Sequence, residues 1–289
     1  KASGRGRLEL FRPELHSAAL QRLEIDSQLR GAAGRGELVV EYQPVVDLGS
    51  GAVEALEALV RWNHPIRGLL APNEFVPVAE QSGLISEIGE FVLGRACVEA
   101  VGWSTSPNGP SVTVNLAPRQ LLDAGIVDRV ADELARSGLA PHRLVLEVTE
   151  GALMQDPDSA RTRLEQLKAL GVRLAMDDFG TGYSSLSHLQ HFPIDILKID
   201  RQFVARVLEH PGPALIRAVV ELARALGIEA VAEGVEHEAQ RDALMALGCR
   251  LAQGSLYAMP LSASTAARLV AERRAMTTGS DRIRANIPV

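Results

Sequence analysis

Short apolar runs alternate along this chain with stretches of helical periodicity. The runs lie at 38–46, 53–62, 112–116, 144–148, 172–176, 194–199, 228–232 and 249–253. Runs of this length between helical segments predict strands of a parallel sheet, and eight is the number that closes an α/β barrel. A long helical pattern fills 72–103, and later connections carry helices near 126–137, 159–170, 213–226 and 236–247, with a last one at about 263–275. Gly138, Gly171, Gly227 and Gly248 each stand just past the final apolar residue of a helix, which is a C-cap signal.

The first two runs break the pattern. Only 47–51 (Asp-Leu-Gly-Ser-Gly) separates them, too short for a parallel crossover. They are therefore predicted antiparallel, and the expected fold is α/β, a modified TIM-type (β/α)8 barrel with one antiparallel strand. Upstream, Leu15, Ala19, Leu23 and Ile25 fall near helical spacing among charges, predicting an amphipathic connecting helix over 12–29. The expected organisation is a linker and connecting helix from an upstream domain at 1–36, the barrel at 37–275, and a flexible C-terminal tail at 276–289. The sequence starts at Lys1 and not at Met, so a piece of a longer parent is expected.

Hydrophobic residues make up 46% and charged residues 23% of the 289 positions, the balance of a soluble globular protein with a sizeable core. A net charge of −6 argues against binding a DNA or RNA polymer. It leaves open a small phosphorylated substrate, because a bound metal supplies positive charge locally. Cys97 and Cys249 are far apart and form no metal-ligand pair, and are expected as buried free thiols. No run is long enough to span a membrane and no signal-peptide pattern opens the chain. A cytoplasmic domain is expected, whose parent is free to carry a membrane anchor.

Seven strand candidates end at, or carry, a residue capable of metal binding or acid–base work: Glu57, Asn115, Glu147, Asp177, Lys198, Glu233 and Gln253. The C-terminal ends of barrel strands are where such a fold places its chemistry. Glu57, Asn115, Glu147 and Asp177 offer the oxygen ligands that Mg²⁺ or Mn²⁺ prefers. Glu57 and Glu147 lie inside apolar strands with alternation pointing them inward, where an uncompensated carboxylate is costly. Asp178 and Asp200 add acids able to hold a second ion, the arrangement that clamps a phosphoryl displacement. Lys198 among these acids reads either as a charge-balancing ion pair or as the group that orients or deprotonates a water, since anions and metals pull a lysine pKa in opposite directions.

Arg61, four residues after Glu57, reads either as a partner for substrate phosphate or as a structural ion pair. The loop 178–185, with Gly180 and Gly182, predicts a mobile lid better than a dinucleotide loop, because it lacks the third glycine. His188 and His191 are expected at the surface, and Trp62 and Trp103 in packing. No serine, histidine and aspartate set has a nucleophile context, which argues against covalent hydrolysis. Barrel chemistry alone also admits metal-assisted proton abstraction with Lys198 as base.

The strings Tyr42-Gln43-Pro44, Glu57-Ala58-Leu59-Val60-Arg61-Trp62, Val114-Asn115-Leu116, Glu147-Val148-Thr149-Glu150, the run DDFGTGYSSL at 177–186, Lys198-Ile199-Asp200, Ala232-Glu233-Gly234-Val235-Glu236 and Gln253-Gly254 resemble the EAL-domain family of cyclic di-GMP phosphodiesterases. The resemblance spans roughly 38–261 in the family's order. It implies hydrolysis of one phosphodiester bond of cyclic di-GMP to linear pGpG, with one or two Mg²⁺ or Mn²⁺ ions and inhibition by Ca²⁺. It implies Glu57, Asn115, Glu147 and Asp177 as ligands of the first metal, and Asp178 and Asp200 at the second. Catalysis falls to Glu57, Lys198 and Glu233, and substrate contact to Arg61, Gln43 and Gln253. Glu150 is similar to the anchor of the lid loop, and a homodimer is implied. Ala117 departs from the family's usual serine, outside the metal shell. Degenerate members act as receptors or scaffolds, which is the alternative reading. The stretch Phe11-Arg12-Pro13-Glu14-Leu15-His16 resembles the junction after a GGDEF domain, so an upstream GGDEF or sensory domain is expected in the parent.

Overall fold

The computed structural model describes residues 22–104, 109–180 and 191–285. Among the described residues ten strands form: β1 (Leu38–Asp47), β2 (Val53–His64), β3 (Gly68–Leu70), β4 (Ser111–Asn115), β5 (Leu144–Thr149), β6 (Arg173–Phe179), β7 (Ile196–Ile199), β8 (Glu229–Ala232), β9 (Leu251–Gln253) and β10 (Leu261–Ser262). Eight of them close a ring in the order β1-β9-β8-β7-β6-β5-β4-β2, sealed by the β1–β2 pair, while β3 and β10 extend it at its rim. β1 runs antiparallel to both neighbours, with Gln43 opposite Glu57 and Val45 opposite Gln253. Every other pair in the ring is parallel. This is the expected barrel with one reversed strand, and the reversal follows from the short 47–51 turn.

Helices cover the outside. The predicted 72–103 pattern divides into Pro72–Ser82 and Ile85–Gly102, because Gly83 turns left-handed (φ 84°) and ends the first. Ile126–Ser137, Pro157–Ala169, Gly212–Leu226 and Glu238–Ala246 follow the sequence expectation within two residues at each end. Gly138, Gly171, Gly227 and Gly248 all adopt positive φ, as helix C-caps of this kind require. Of the predicted connecting helix, 22–29 is helical, and the rest lies outside the described residues. Ile25 and Leu29 are buried in the main apolar cluster, so this segment packs on the barrel. The last helix continues through Ala263–Ala285, ten residues beyond its expected end at 275. That stretch contains no proline, and Gly279 weakens a helix without blocking it.

The main apolar cluster lies between the barrel wall and its helices. Trp62 is fully buried, edge-on to Phe75 at 5.8 Å, and Tyr42 meets Trp103 edge-on at 5.3 Å, so both tryptophans are packing residues. Inside the barrel a separate plug forms from Val45, Val145, Ala175, Ile196, Val231 and Leu251, with Ala55 against it. Cys97 and Cys249 are buried and free, as expected. His191 is exposed, and His188 lies outside the described residues.

A candidate active site at the C-terminal mouth of the barrel

Side chains two residues apart on a strand share a face. The plug residues therefore predict what stands in the next layer up. Ala55 leads to Glu57, Val145 to Glu147, Ala175 to Asp177, Ile196 to Lys198, Val231 to Glu233 and Leu251 to Gln253. On β4, Thr113 leads to Asn115. On the reversed β1 the step runs backwards, from Val45 to Gln43. Each of the eight ring strands thus contributes one polar residue to a single layer. Gln43 was reached in the sequence only through the family resemblance, and reversing the alternation on β1 places it in this layer.

Lys198 stands at the centre of this layer, almost fully buried. Its Nζ lies 2.6 Å from Glu233 Oε1, 2.7 Å from Glu147 Oε2, 3.5 Å from Glu57 Oε2 and 3.7 Å from Asp177 Oδ1. Burial opposes charge on the lysine, but Glu147, Glu233, Glu57 and Asp177 outweigh it and hold its pKa well above the ordinary value. The ion-pair reading of Lys198 is thus realised in this structure. One ammonium facing these carboxylates leaves an excess of negative charge. Burial, with Glu57 and Asp177 nearby, pushes Glu147 up to about 8 in spite of Lys198. Burial, with Asp177 and Glu57, likewise pushes Glu233 up to about 7.

Glu57 is held differently. Asn115 Nδ2 donates to its Oε1 at 2.8 Å and Gln253 Nε2 donates to its Oε2 at 2.7 Å. Burial raises its pKa, yet Lys198 and these two amides together bring it below the ordinary value. Gln253 Nε2 also donates to Gln43 Oε1 at 2.9 Å, and Gln43 Nε2 donates to the Ala258 carbonyl at 3.1 Å.

Asp178 continues β6 with φ 56°, uncommon outside glycine. Burial raises its pKa, helped by the neighbouring Asp177 and Asp200 charges. Asp200 is buried and caps the helix Arg201–Ala205, accepting from Gln202 N at 2.8 Å. Glu150, also buried, accepts from Gly180 N at 3.3 Å where the predicted lid begins. The remainder of that predicted lid, 181–185, lies outside the described residues. Gly180 is tightly placed: a Cβ there would come 2.9 Å from the Phe203 ring, and its φ is 95°. Arg61 pairs through Nε with Glu41 Oε2 at 2.8 Å and donates to the Val60 carbonyl at 3.0 Å. A cavity of about 500 Å³ opens beside Asn115 and Glu147, walled by apolar residues that include Leu59, Val60, Val76 and Pro118.

The donor chemistry suits a hard divalent cation. Glu57, Glu147 and Asp177 supply carboxylate oxygens, and Asn115, with its Nδ2 committed to Glu57, turns its amide oxygen free of that bond. Burial raises Glu147 and Glu233, the neighbouring carboxylates add to it, and a cation would relieve that excess of negative charge. As they stand the carboxylates converge on Lys198 Nζ, and among the described residues no three acidic, histidine or cysteine groups enclose a common ion position. Also among the described residues, no helix is long and apolar enough to cross a membrane.

The fold and this layer define a parallel-barrel protein with an acid-rich, lysine-centred site at the C-terminal mouth. The EAL domain family matches residues 26–260, and the chain belongs to that family. It is 43% identical over 265 residues to the bifunctional diguanylate cyclase/cyclic di-GMP phosphodiesterase MucR of Pseudomonas aeruginosa, covering 91% of this chain and 39% of that protein. It is 41% identical over 263 residues to the cyclic di-GMP phosphodiesterase NbdA of the same organism, covering 90% of this chain and 34% of that protein. The chain thus spans well under half the length of these relatives. Its fold matches the structure of the MucR phosphodiesterase in complex with cyclic di-GMP, with a TM-score of 0.80 and 44% identity over 84% of this chain and 99% of that one.

Proposed function

We propose that this chain is a metal-dependent phosphodiesterase that hydrolyses one bond of cyclic di-GMP to give linear pGpG. The observation that carries the reading is the convergence of Glu57, Glu147, Asp177 and Glu233 on Lys198, with Asn115 and Gln253 holding Glu57. Family members named as cyclic di-GMP phosphodiesterases support the substrate. Glu57, Asn115, Glu147 and Asp177 would hold a Mg²⁺ or Mn²⁺ ion, and Asp178 and Asp200 would help hold a second. Such ions, when bound, supply Lewis acidity toward a phosphoryl oxygen and lower the pKa of water.

The chain's own residues then have separable tasks. Lys198, held among Glu147, Glu233, Glu57 and Asp177, would orient the attacking water. Glu233, 2.6 Å from that ammonium, accepts a hydrogen bond from the same water. As the water oxygen bonds to phosphorus, one water proton passes to Glu233, the bond from phosphorus to the ribose 3′ oxygen breaks, and that oxygen takes a proton from solvent. Arg61, oriented by Glu41, meets a phosphate of the substrate. The apolar cavity beside Asn115 receives one guanine base. Glu150 anchors the start of the lid. A homodimer, and a GGDEF or sensory domain upstream in the parent, complete the proposal.

The test is product analysis after incubation with cyclic di-GMP and Mg²⁺ or Mn²⁺. Appearance of pGpG is expected, with Ca²⁺ inhibiting. Tight binding of cyclic di-GMP with no product, in metal-replete dimer, would overturn the assignment and make the chain a receptor.

A further inference from the structure

The carbonyl of Ala258 can only accept a hydrogen bond. Gln43 lies 3.1 Å from it through Nε2, so the Gln43 amide has one possible orientation. Its Oε1 must then face Gln253. Gln253 in turn must present Nε2 to both Gln43 Oε1 (2.9 Å) and Glu57 Oε2 (2.7 Å). Flipping either amide would set oxygen against oxygen at these distances. The order is therefore set by an acceptor at each end, the Ala258 carbonyl and the Glu57 carboxylate. The turn that carries Ala258 is itself fixed: Ala258 N and Tyr257 N both donate to the Gly254 carbonyl, and Leu256 N donates to the Val235 carbonyl.

We propose that Gln43 is a positioning residue, relaying the fixed polarity of the Ala258 carbonyl through Gln253 to the Glu57 carboxylate. Two further observations point the same way. Both polar atoms of the Gln43 amide are engaged within the protein, Nε2 on the Ala258 carbonyl and Oε1 on Gln253, so the amide is held from both sides. Gln253 is nine-tenths buried or more and among the described residues its Oε1 has no partner, so its amide is held through Nε2 alone, by Gln43 and Glu57. Without Gln43 the Gln253 amide keeps a single anchor, Glu57 Oε2, and swings about it, loosening the arrangement of Glu57 that a cation needs. The consequence for metal rests on the phosphodiesterase reading; the relay itself does not.

Two measurements on Gln43→Leu and on the equally long Gln43→Met separate these. The first is proton exchange at the Gln253 side-chain amide in glutamine-labelled protein, assigned by its loss in Gln253→Leu. Exchange is expected to quicken at least about tenfold in both variants, and unchanged exchange in a folded variant overturns the relay. The second is Mn²⁺ affinity without substrate, beside cyclic di-GMP affinity without metal. Loss of an outer partner of a ligand weakens metal binding by about 10–100-fold. That loss, with cyclic di-GMP affinity unchanged, is expected. Weakened cyclic di-GMP binding with unchanged Mn²⁺ affinity would make Gln43 a substrate contact and overturn the proposal. Failure of the unmodified protein to bind Mn²⁺ would remove the metal reading, and amide exchange alone would then decide the relay.

Discussion

Replacing Lys198 with methionine keeps the length of the side chain and removes its charge. The ammonium sits 2.6–3.7 Å from the carboxylates of Glu233, Glu147, Glu57 and Asp177, at 2% exposure. Removing one partner of a buried ion pair costs about 3–5 kcal/mol, because the other charge is left unpaired. In a protein of this size, about 1 kcal/mol moves Tm by roughly 2–4 °C. At pH 8 and without metal, Lys198→Met should therefore melt about 6–20 °C below the unmodified protein. The loss should shrink near pH 5. There the carboxylates take up protons more readily once the ammonium is gone, and a neutral carboxyl needs no counter-charge. Thermal melts followed by circular dichroism in a chelator, at both pH values, measure this. A difference under about 2 °C at pH 8, or the same difference at both pH values, would refute the view that Lys198 neutralises the layer.

Three further outcomes are expected. Glu57→Ala removes a carboxylate that Asn115 and Gln253 hold in place and should lower turnover by at least about 100-fold, with Mn²⁺ affinity falling alongside. In unmodified metal-free protein, Glu147 is raised from 4.5 to about 8 and Glu233 to about 7, so the folded state keeps protons that the unfolded chain releases. This contribution to stability is fully present below about pH 4.5 and is lost as pH rises to about 8, so Tm should fall across that window and fall less with Mn²⁺ bound. Gly254→Ala would place a Cβ 2.1 Å from the Val235 carbonyl oxygen. Backbone must move, at about 1–3 kcal/mol, and turnover should drop with Tm because Gln253 precedes that glycine.

Much of this layer was legible in the sequence because the barrel's alternation is strict. Alternation within apolar strands gave Glu57 and Glu147 their inward direction before any contact was known. The 47–51 turn likewise foretold the reversed β1. Other features have no local signal. β3 covers only Gly68–Leu70, too short for a periodicity to show. The split at Gly83 hides inside an apolar pattern that continues on both sides. Strand starts at 172, 194, 228 and 249 were read one or two residues early, since apolar residues there are buried before ladder pairing begins. The hydrogen bond from Gln43 to Ala258 joins residues 215 apart in the chain, and only closure of the ring brings them together. Spacing marked Lys198 as a resident of an acidic site but not as its centre, because that depends on side-chain reach across the barrel.

Hydrolysis of cyclic di-GMP is followed by ³¹P NMR of the dinucleotide incubated with this protein and Mg²⁺. One of the two phosphodiester groups should be converted to a 5′ phosphomonoester while the other persists, the signature of pGpG. An unchanged spectrum from protein shown to bind the dinucleotide and Mg²⁺ would contradict it.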